Sequence, residues 1–334
     1  MIAASPAVSG QSGRRARTGF ALAARAGLAL ACLLALGWAV SLERTASLLV
    51  AVELPTVFGA LALFGASLVL SAWRWRFGLR RMVARPPRLV SLLRLILLGI
   101  ACNAFVPTTV AGDVTRAKVL QRVSGRGPAY ASIMVDRLLG LAAVVSLGSL
   151  ALGLAWWRGL VEGRLLLVPA AAVGLILVVV VLHRVVRQAG RTMGRLQPLL
   201  EALGAFTRRP MVPAVSFAVA ILVQLVGAIA PLMLIARDLG IAVGWQVHLA
   251  VIPAVILLTL APVTINGIGV REGALVILYG QAGVAADPAF ALGIAWTLMI
   301  TAFAVLGGLW WLLGTSRLST TPADARAVRP PPAG

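Results

Sequence analysis

Charge is what this sequence has least of. Only 12% of its 334 residues are Asp, Glu, Lys or Arg, against about 25% in an ordinary soluble domain. Acidic residues number 10 and basic residues 30, a formal net charge of +20. In a polar chain that excess would point to nucleic acid. Here 60% of the residues are apolar and the mean hydropathy is +0.97. Charges strung thinly between long apolar runs exclude a water-soluble fold, a disordered chain and a secreted disulfide scaffold, and no nucleic-acid partner is expected. The sequence reads as an all-α integral membrane protein.

Cysteine and histidine are nearly as scarce. Cys32 and Cys102 both lie inside apolar runs, so no disulfide framework is implied and the redox compartment stays open. His183 and His248 stand 65 positions apart, which leaves no ligand set for zinc, haem or iron–sulfur, and no metal or other cofactor is expected. There is no Ser-His-Asp, Cys-His or His-Glu-x-x-His set and no Walker A loop. Gly267-Ile-Gly269-Val-Arg-Glu-Gly273 has the wrong spacing for a dinucleotide fingerprint and no strand before it. Gly269 and Gly273 read instead as sites of close helix approach. Lysine is almost missing: every basic residue is Arg except Lys118.

What is present is a series of eight apolar runs, near Phe20–Ser41, Pro55–Trp73, Val90–Val106, Ala129–Trp157, Leu165–Leu182, Pro213–Ala236, Val247–Leu260 and Pro288–Gly314. About 20 helical residues cross a bilayer core of about 30 Å. The first run follows a basic leader, residues 1–19, read as a disordered cytoplasmic tail, and has no cleavage site of a signal peptide. Cytoplasmic loops collect Lys and Arg. Eight full crossings would put Arg116–Arg126 and Arg184–Arg209 outside. Six full spans and two re-entrant pairs repair this. Val90–Val106 would return through Asp113–Val123, and Val247–Leu260 through Val270–Ala282. Arg74–Arg88, Arg116–Arg126, Arg184–Arg209 and Arg317–Arg329 then all face the cytoplasm, as do both termini. Trp73/Trp75, Trp310/Trp311, Trp38, Trp156/Trp157 and Trp245 fit as interfacial anchors. Residues 184–210, with Met193, Leu196, Leu200 and Leu203 at helical spacing, read as a helix lying in the cytoplasmic interface, kinked or started by Pro198. One transmembrane domain spans 20–314, and 315–334 reads as a second disordered tail.

The chain also matches itself at an offset of 155. Pro107-Thr-Thr-Val-Ala-Gly-Asp-Val-Thr-Arg116 lies over Pro262-Val-Thr-Ile-Asn-Gly-Ile-Gly-Val-Arg271. Pro, Thr109/Thr264, Gly112/Gly267, Arg116/Arg271 and Leu120/Leu275 coincide without a gap. Three full spans separate the two units, centred near 90–126 and 247–282, so they would enter from opposite faces as an inverted repeat, an arrangement of transporters whose site lies between broken helices. Proline stops the first helix of each unit and glycine permits the reversal. The next helix then opens with free amides, a positive dipole end and an Arg one turn in, a combination that attracts an anion. Two such ends would hold a phosphate-bearing headgroup.

Blander readings stand beside that one. Asp113 caps its own helix and pairs with Arg116, which does not exclude binding. Arg271-Glu272 is an interfacial pair at a loop. Asp136-Arg137 is either an intramembrane functional pair or snorkels to the interface. Asn103, Gln224 and Asn266 are interhelical hydrogen bonders, while Cys32, Cys102 and His248 serve packing.

Asn103-Ala-Phe-Val-Pro107 with Gly112-Asp113-x-x-Arg116, then Asp136-Arg137, then Asn266-Gly-Ile-Gly-Val-Arg-Glu272, resemble the lysylphosphatidylglycerol synthase transmembrane-region family. This is the flippase-like domain of multiple peptide resistance factor, found also in stand-alone membrane proteins. The similarity runs from about Phe20 to Gly314. It implies a plasma-membrane (inner-membrane) protein that moves an anionic phospholipid or polyprenyl-phosphate lipid between leaflets. By motif, Asn103, Asp113, Arg116, Arg137, Asn266, Gly267, Gly269, Arg271 and Glu272 would be its substrate-binding residues, with no catalytic residue. Many members carry Glu and a later Asp in the third motif, where this chain has Asp136 and Gly140. No soluble aminoacyl-transferase domain is read here, so lysine transfer is not expected. The rivals are a membrane enzyme of lipid-linked glycosyl or aminoacyl transfer, its acid drawn from Glu43 or Glu53 in an outer loop, and a membrane subunit working with a partner transferase.

Overall fold

The computed structural model describes residues 40–105, 111–157, 193–260, 264 and 266–313. Every regular element among them is a helix. In chain order these are α1 (Leu42–Ala51), α2 (Leu54–Met82), α3 (Leu89–Phe105), α4 (Ala111–Ser124), α5 (Arg126–Trp157), α6 (Met193–Thr207) and α7 (Met211–Gln224). A π-helical turn (Leu225–Ile229) joins α7 to α8 (Ala230–Asp238), and α9 (Trp245–Thr259), α10 (Val270–Gly280) and α11 (Ala286–Leu313) follow.

Four stretches are long and apolar enough to cross a membrane: Leu54–Met82, Arg126–Ala151, Met211–Asp238 and Ala286–Leu313. Two further apolar helices are short, Leu89–Ala104 and Trp245–Thr259. At 1.5 Å per residue, α9 reaches only about 22 Å, less than the hydrocarbon core. The described residues thus hold four of the six expected spans and the two short helices of the expected re-entrant pairs. Nearly all of the run near Phe20–Ser41 and all of Leu165–Leu182 lie outside the described residues. So do the two tails, Cys32, His183, and the Pro107-Thr108-Thr109 and Pro262 breaks.

Two apolar cores form, one per repeat unit. Leu68, Leu92, Leu95 and Leu120 anchor the first, on α2, α3 and α4. Leu232, Ile252, Leu275 and Leu292 anchor the second, on α8, α9, α10 and α11. Reciprocal crossings link the units. The short α3 lies against α11, the long helix that follows the second unit, and the short α9 lies against α5, the long helix that follows the first. A glycine of the long helix sits at each crossing. A Cβ on Gly307 would stand 2.5 Å from the Leu97 carbonyl oxygen, and one on Gly148 would stand 3.3 Å from the Pro253 Cβ. Small residues allow this approach, and in lipid close van der Waals packing holds helices together. Gly307→Ala should therefore cost about 1–3 kcal/mol through overpacking. Its neighbour Gly308, with open space around its Cβ, should accept Ala with no loss. Unfolding temperatures of the two variants in detergent check this.

The π-helical turn has an identifiable cause. Pro231, in the first turn of α8, has no N–H to continue the α-helical ladder, so the helix widens before it. Gly227 lies in that turn against the Ser67 hydroxyl of α2.

Two expectations change. The segment after Ser41 is helical: Ser41 Oγ accepts from the Arg44 N–H at 3.3 Å, starting α1, and the Ser41 N–H donates to Asp287 Oδ1 at 2.9 Å. Glu43 therefore sits in the first turn of α1 and Glu53 at the N-cap position of α2, and the two do not share an open loop. Trp75 is no interfacial anchor. It is 3% exposed in the first core, whereas Trp73 on the neighbouring face is 44% exposed. In α6 the buried face carries Ala202 and Phe206, packed toward α2 and α5, while Leu200 is exposed. Pro198 lies inside this helix, its carbonyl against Gly127 at the start of α5.

Candidate functional site

The first break is closed by its own side chains. The Asn103 side-chain oxygen, near the end of α3, accepts from the Gly112 N–H at 2.8 Å and so caps the first turn of α4 from across the break. Gly112 packs so tightly on the Gly99 carbonyl that no Cβ fits between them. Gly99 in turn leaves room for the Arg116 stem, whose Cδ would lie 3.1 Å from a Cβ there. These two glycines let α4 fold back flat on α3 and carry Arg116 inward.

Arg116 enters a cavity of about 350 Å³, lined also by Arg74, Asn103, Asp113, Asp136 and Arg137. Asp113 accepts from Arg116 through Oδ1 and from Arg137 through Oδ2. Asp136 Oδ1 accepts from Arg74 Nη2 at 2.6 Å, and its Oδ2 lies 3.7 Å from Arg116 Nη1. The Arg116 guanidinium stands 5.2 Å over the Trp75 ring, a cation–π contact. Three arginines thus alternate with two aspartates in one chain of ion pairs. Arg74 and Arg116 are almost fully buried, and Arg74 Nε and Nη1 and Arg116 Nε have no hydrogen-bond partner among the described residues. Unpaired donors on buried cations are costly unless something else meets them. The cavity is thus suited to one anionic group. Its apolar wall includes Val223 of α7 and Ile256 of α9, with Leu260 just beyond, and Gln224 of α7 lies beside them.

The second break is made of left-handed backbone. Asn266 has φ 52°, Gly267 φ 75° and Gly269 φ 84°, a conformation that glycine adopts freely and Asn tolerates. Glu272, wholly buried, reaches back so that Oε2 accepts the Gly269 N–H at 2.6 Å. Its Oε1 accepts from the Thr297 hydroxyl at 2.7 Å, and that hydroxyl accepts from Arg271 Nη1 at 2.8 Å. Arg271 Nη2 donates to the Asn266 carbonyl at 3.2 Å, and the guanidinium stands 5.1 Å over the Trp296 ring. Both repeat arginines therefore stack on a tryptophan.

The structure gathers Asn103, Asp113, Arg116 and Arg137 at one cavity and Asn266, Gly267, Gly269, Arg271 and Glu272 at the second break. Arg271 is not among the residues lining the first cavity. The expected free amides at the two helix starts are partly filled, by Asn103 at Gly112 and by Glu272 at Gly269. Arg271-Glu272 is buried on α10 and is no loop pair. Asp136-Arg137 joins the ion-pair chain. Arg74 was assigned to a cytoplasmic basic loop by sequence, yet α2 continues past it and buries it. The readable signal is Ser67, Ser71, Arg74 and Gly78 at spacings of four, three and four, a small and polar stripe on one helix face.

Long apolar helices, two short ones at glycine-rich breaks and a buried ion-pair cavity define a polytopic helical membrane protein. The chain belongs to the lysylphosphatidylglycerol synthase TM region family, whose model matches residues 22–308. That family ties the protein to membrane lipid. No curated protein and no solved structure matches the chain.

Proposed function

We propose that the protein moves an anionic phospholipid or a polyprenyl-phosphate lipid between leaflets, with the Arg74–Asp136–Arg116–Asp113–Arg137 cavity as its headgroup site. The observation that carries this reading is the chain of three arginines and two aspartates around one cavity, with Arg74 and Arg116 almost fully buried at its wall. A phosphate in the cavity would meet the guanidinium groups that line it in charge-assisted hydrogen bonds. Aspartates that hold the guanidinium groups apart in the empty site would keep the cost of exposing them to lipid low. The second break, with Arg271 and Glu272, would be the counterpart gate of an inverted repeat, and alternating access would rock one unit against the other. The Arg distribution supports cytoplasmic termini, and the family supports the plasma (inner) membrane. A separate transferase could supply or consume the lipid.

A lipid-scrambling assay in proteoliposomes tests this, using a fluorescent anionic phospholipid and a polyprenyl-phosphate lipid. Arg116→Ala and Arg74→Ala, folded by gel filtration, should lower the rate at least about tenfold, the scale of one charge-assisted bond. Arg271→Ala should lower it as well, by freeing the second break. Folded wild-type protein that moves neither lipid would overturn the reading in favour of a transferase subunit.

A further inference from the structure

A groove of about 600 Å³ lies elsewhere on the molecule, between α2, α8 and the start of α9. Its walls are apolar, including Leu63, Met233, Leu234 and Ile241, and two basic side chains face it, Arg237 and His248. Leu63 precedes Arg74 by eleven residues on α2, about 16 Å along the axis. The groove and the ion-pair cavity are therefore consecutive stations on the same pair of helices. Along α7 and α8 the order matches, with Val223 and Gln224 at the cavity and Met233 and Arg237 at the groove.

We infer that this groove is a second lipid site, which seats the phosphate of an anionic membrane lipid between Arg237 and His248 and its acyl chain along the apolar wall. The Arg237 side chain is exposed and has no hydrogen bond or ion pair with any described residue. The adjacent Asp238 is engaged elsewhere, accepting from the Glu53 N–H at 3.2 Å. His248 is 4% exposed, and its Nδ1 lies 2.6 Å from the Tyr279 hydroxyl. The phenol has one hydrogen and no other acceptor among the described residues. Donation from that hydroxyl to Nδ1 satisfies both groups and leaves the proton of the neutral ring on Nε2. Nε2 has no protein partner, and it is not sealed off from the groove. The N-cap of α9, Gly244, follows the lining residue Val243 and carries no side-chain cap, so the positive end of the dipole lies next to the groove. Trp245 is half-exposed beside it, as at a membrane interface. A cation, a fixed N–H donor and a helix start at the mouth of an apolar groove complement a lipid phosphate. A soluble anion would leave the apolar wall uncovered. The site does not rest on the transport reading.

The test is photolabelling of the full chain in an uncharged maltoside micelle, with a phosphatidylglycerol analogue that is photoreactive in its acyl chain. Wild type should be labelled at Leu63 and across Met233–Val243. Arg237→Gln should reduce labelling there by about tenfold, Arg237→Lys by less, and Arg116→Ala not at all. A diacylglycerol analogue should label weakly, and glycerol phosphate should not compete. Equal labelling by diacylglycerol, full competition by glycerol phosphate, or loss with Arg116→Ala but not Arg237→Gln would each overturn the assignment.

Discussion

Asp113→Ala should be among the most damaging single changes in the ion-pair cavity. One carboxylate serves two guanidinium groups there, so its removal takes from Arg116 and Arg137 the acceptor they share and leaves Asp136 at 3.7 Å from Arg116. The cavity would go from three arginines against two aspartates to three against one. Removing one partner of a buried pair costs about 3–5 kcal/mol, because the remaining charge stays desolvated. The Arg116 side supplies most of that, since the Arg137 side chain is 41% exposed and solvent screens it. The expected result is a large drop in unfolding temperature in detergent. Adding Arg137→Gln should recover part of it, because it takes out one of the two positive charges that Asp113 had held. A double variant less stable than the single one would show that the pairs act by local geometry and not by charge balance.

The same cavity marks where the sequence was legible. The breaks could be read because their chemistry is local: Asn266, Gly267 and Gly269 adopt positive φ that few other residues accept, and Pro with Gly predicts a reversal whatever packs around it. The short helices could be read from length and charge placement. Arg74 could not, because a Trp-Arg-Trp-Arg run after an apolar stretch resembles the end of a span, and only the partner Asp136, 62 residues away, makes burial of the arginine tolerable. Asp136 itself stayed ambiguous for that reason. The filling of the helix starts also depends on contacts that spacing does not reveal. Asn103 reaches Gly112 because glycines at 99 and 112 close the distance between α3 and α4, and a motif records the residues without their approach.

Glu272→Ala should be as damaging at the other break, for a different reason. There the acid makes no direct ion pair with Arg271. It acts through the Thr297 hydroxyl, which passes a hydrogen bond from the guanidinium to Oε1, while Oε2 takes the Gly269 amide. Alanine would orphan the Gly269 N–H, leave the Thr297 donor without its acceptor, and strand a buried guanidinium whose Nε already lacks a partner. It would also open space beside Gly293, where the Glu272 side chain now lies 3.0 Å from the place of a Cβ. A loss of about 3–5 kcal/mol is expected, read as a lower unfolding temperature and faster proteolysis of the α9–α10 segment. Glu272→Gln should fall between the two, since its amide oxygen can still accept from Gly269 while the charge is gone. Arg271→Met with Glu272→Met should recover much of the stability, because an apolar pair needs no desolvated charge. If that double variant is stable yet moves no lipid, the network serves the motion of the second break. If it is stable and fully active, Arg271 and Glu272 hold only the fold, and the headgroup reading rests on the first cavity alone.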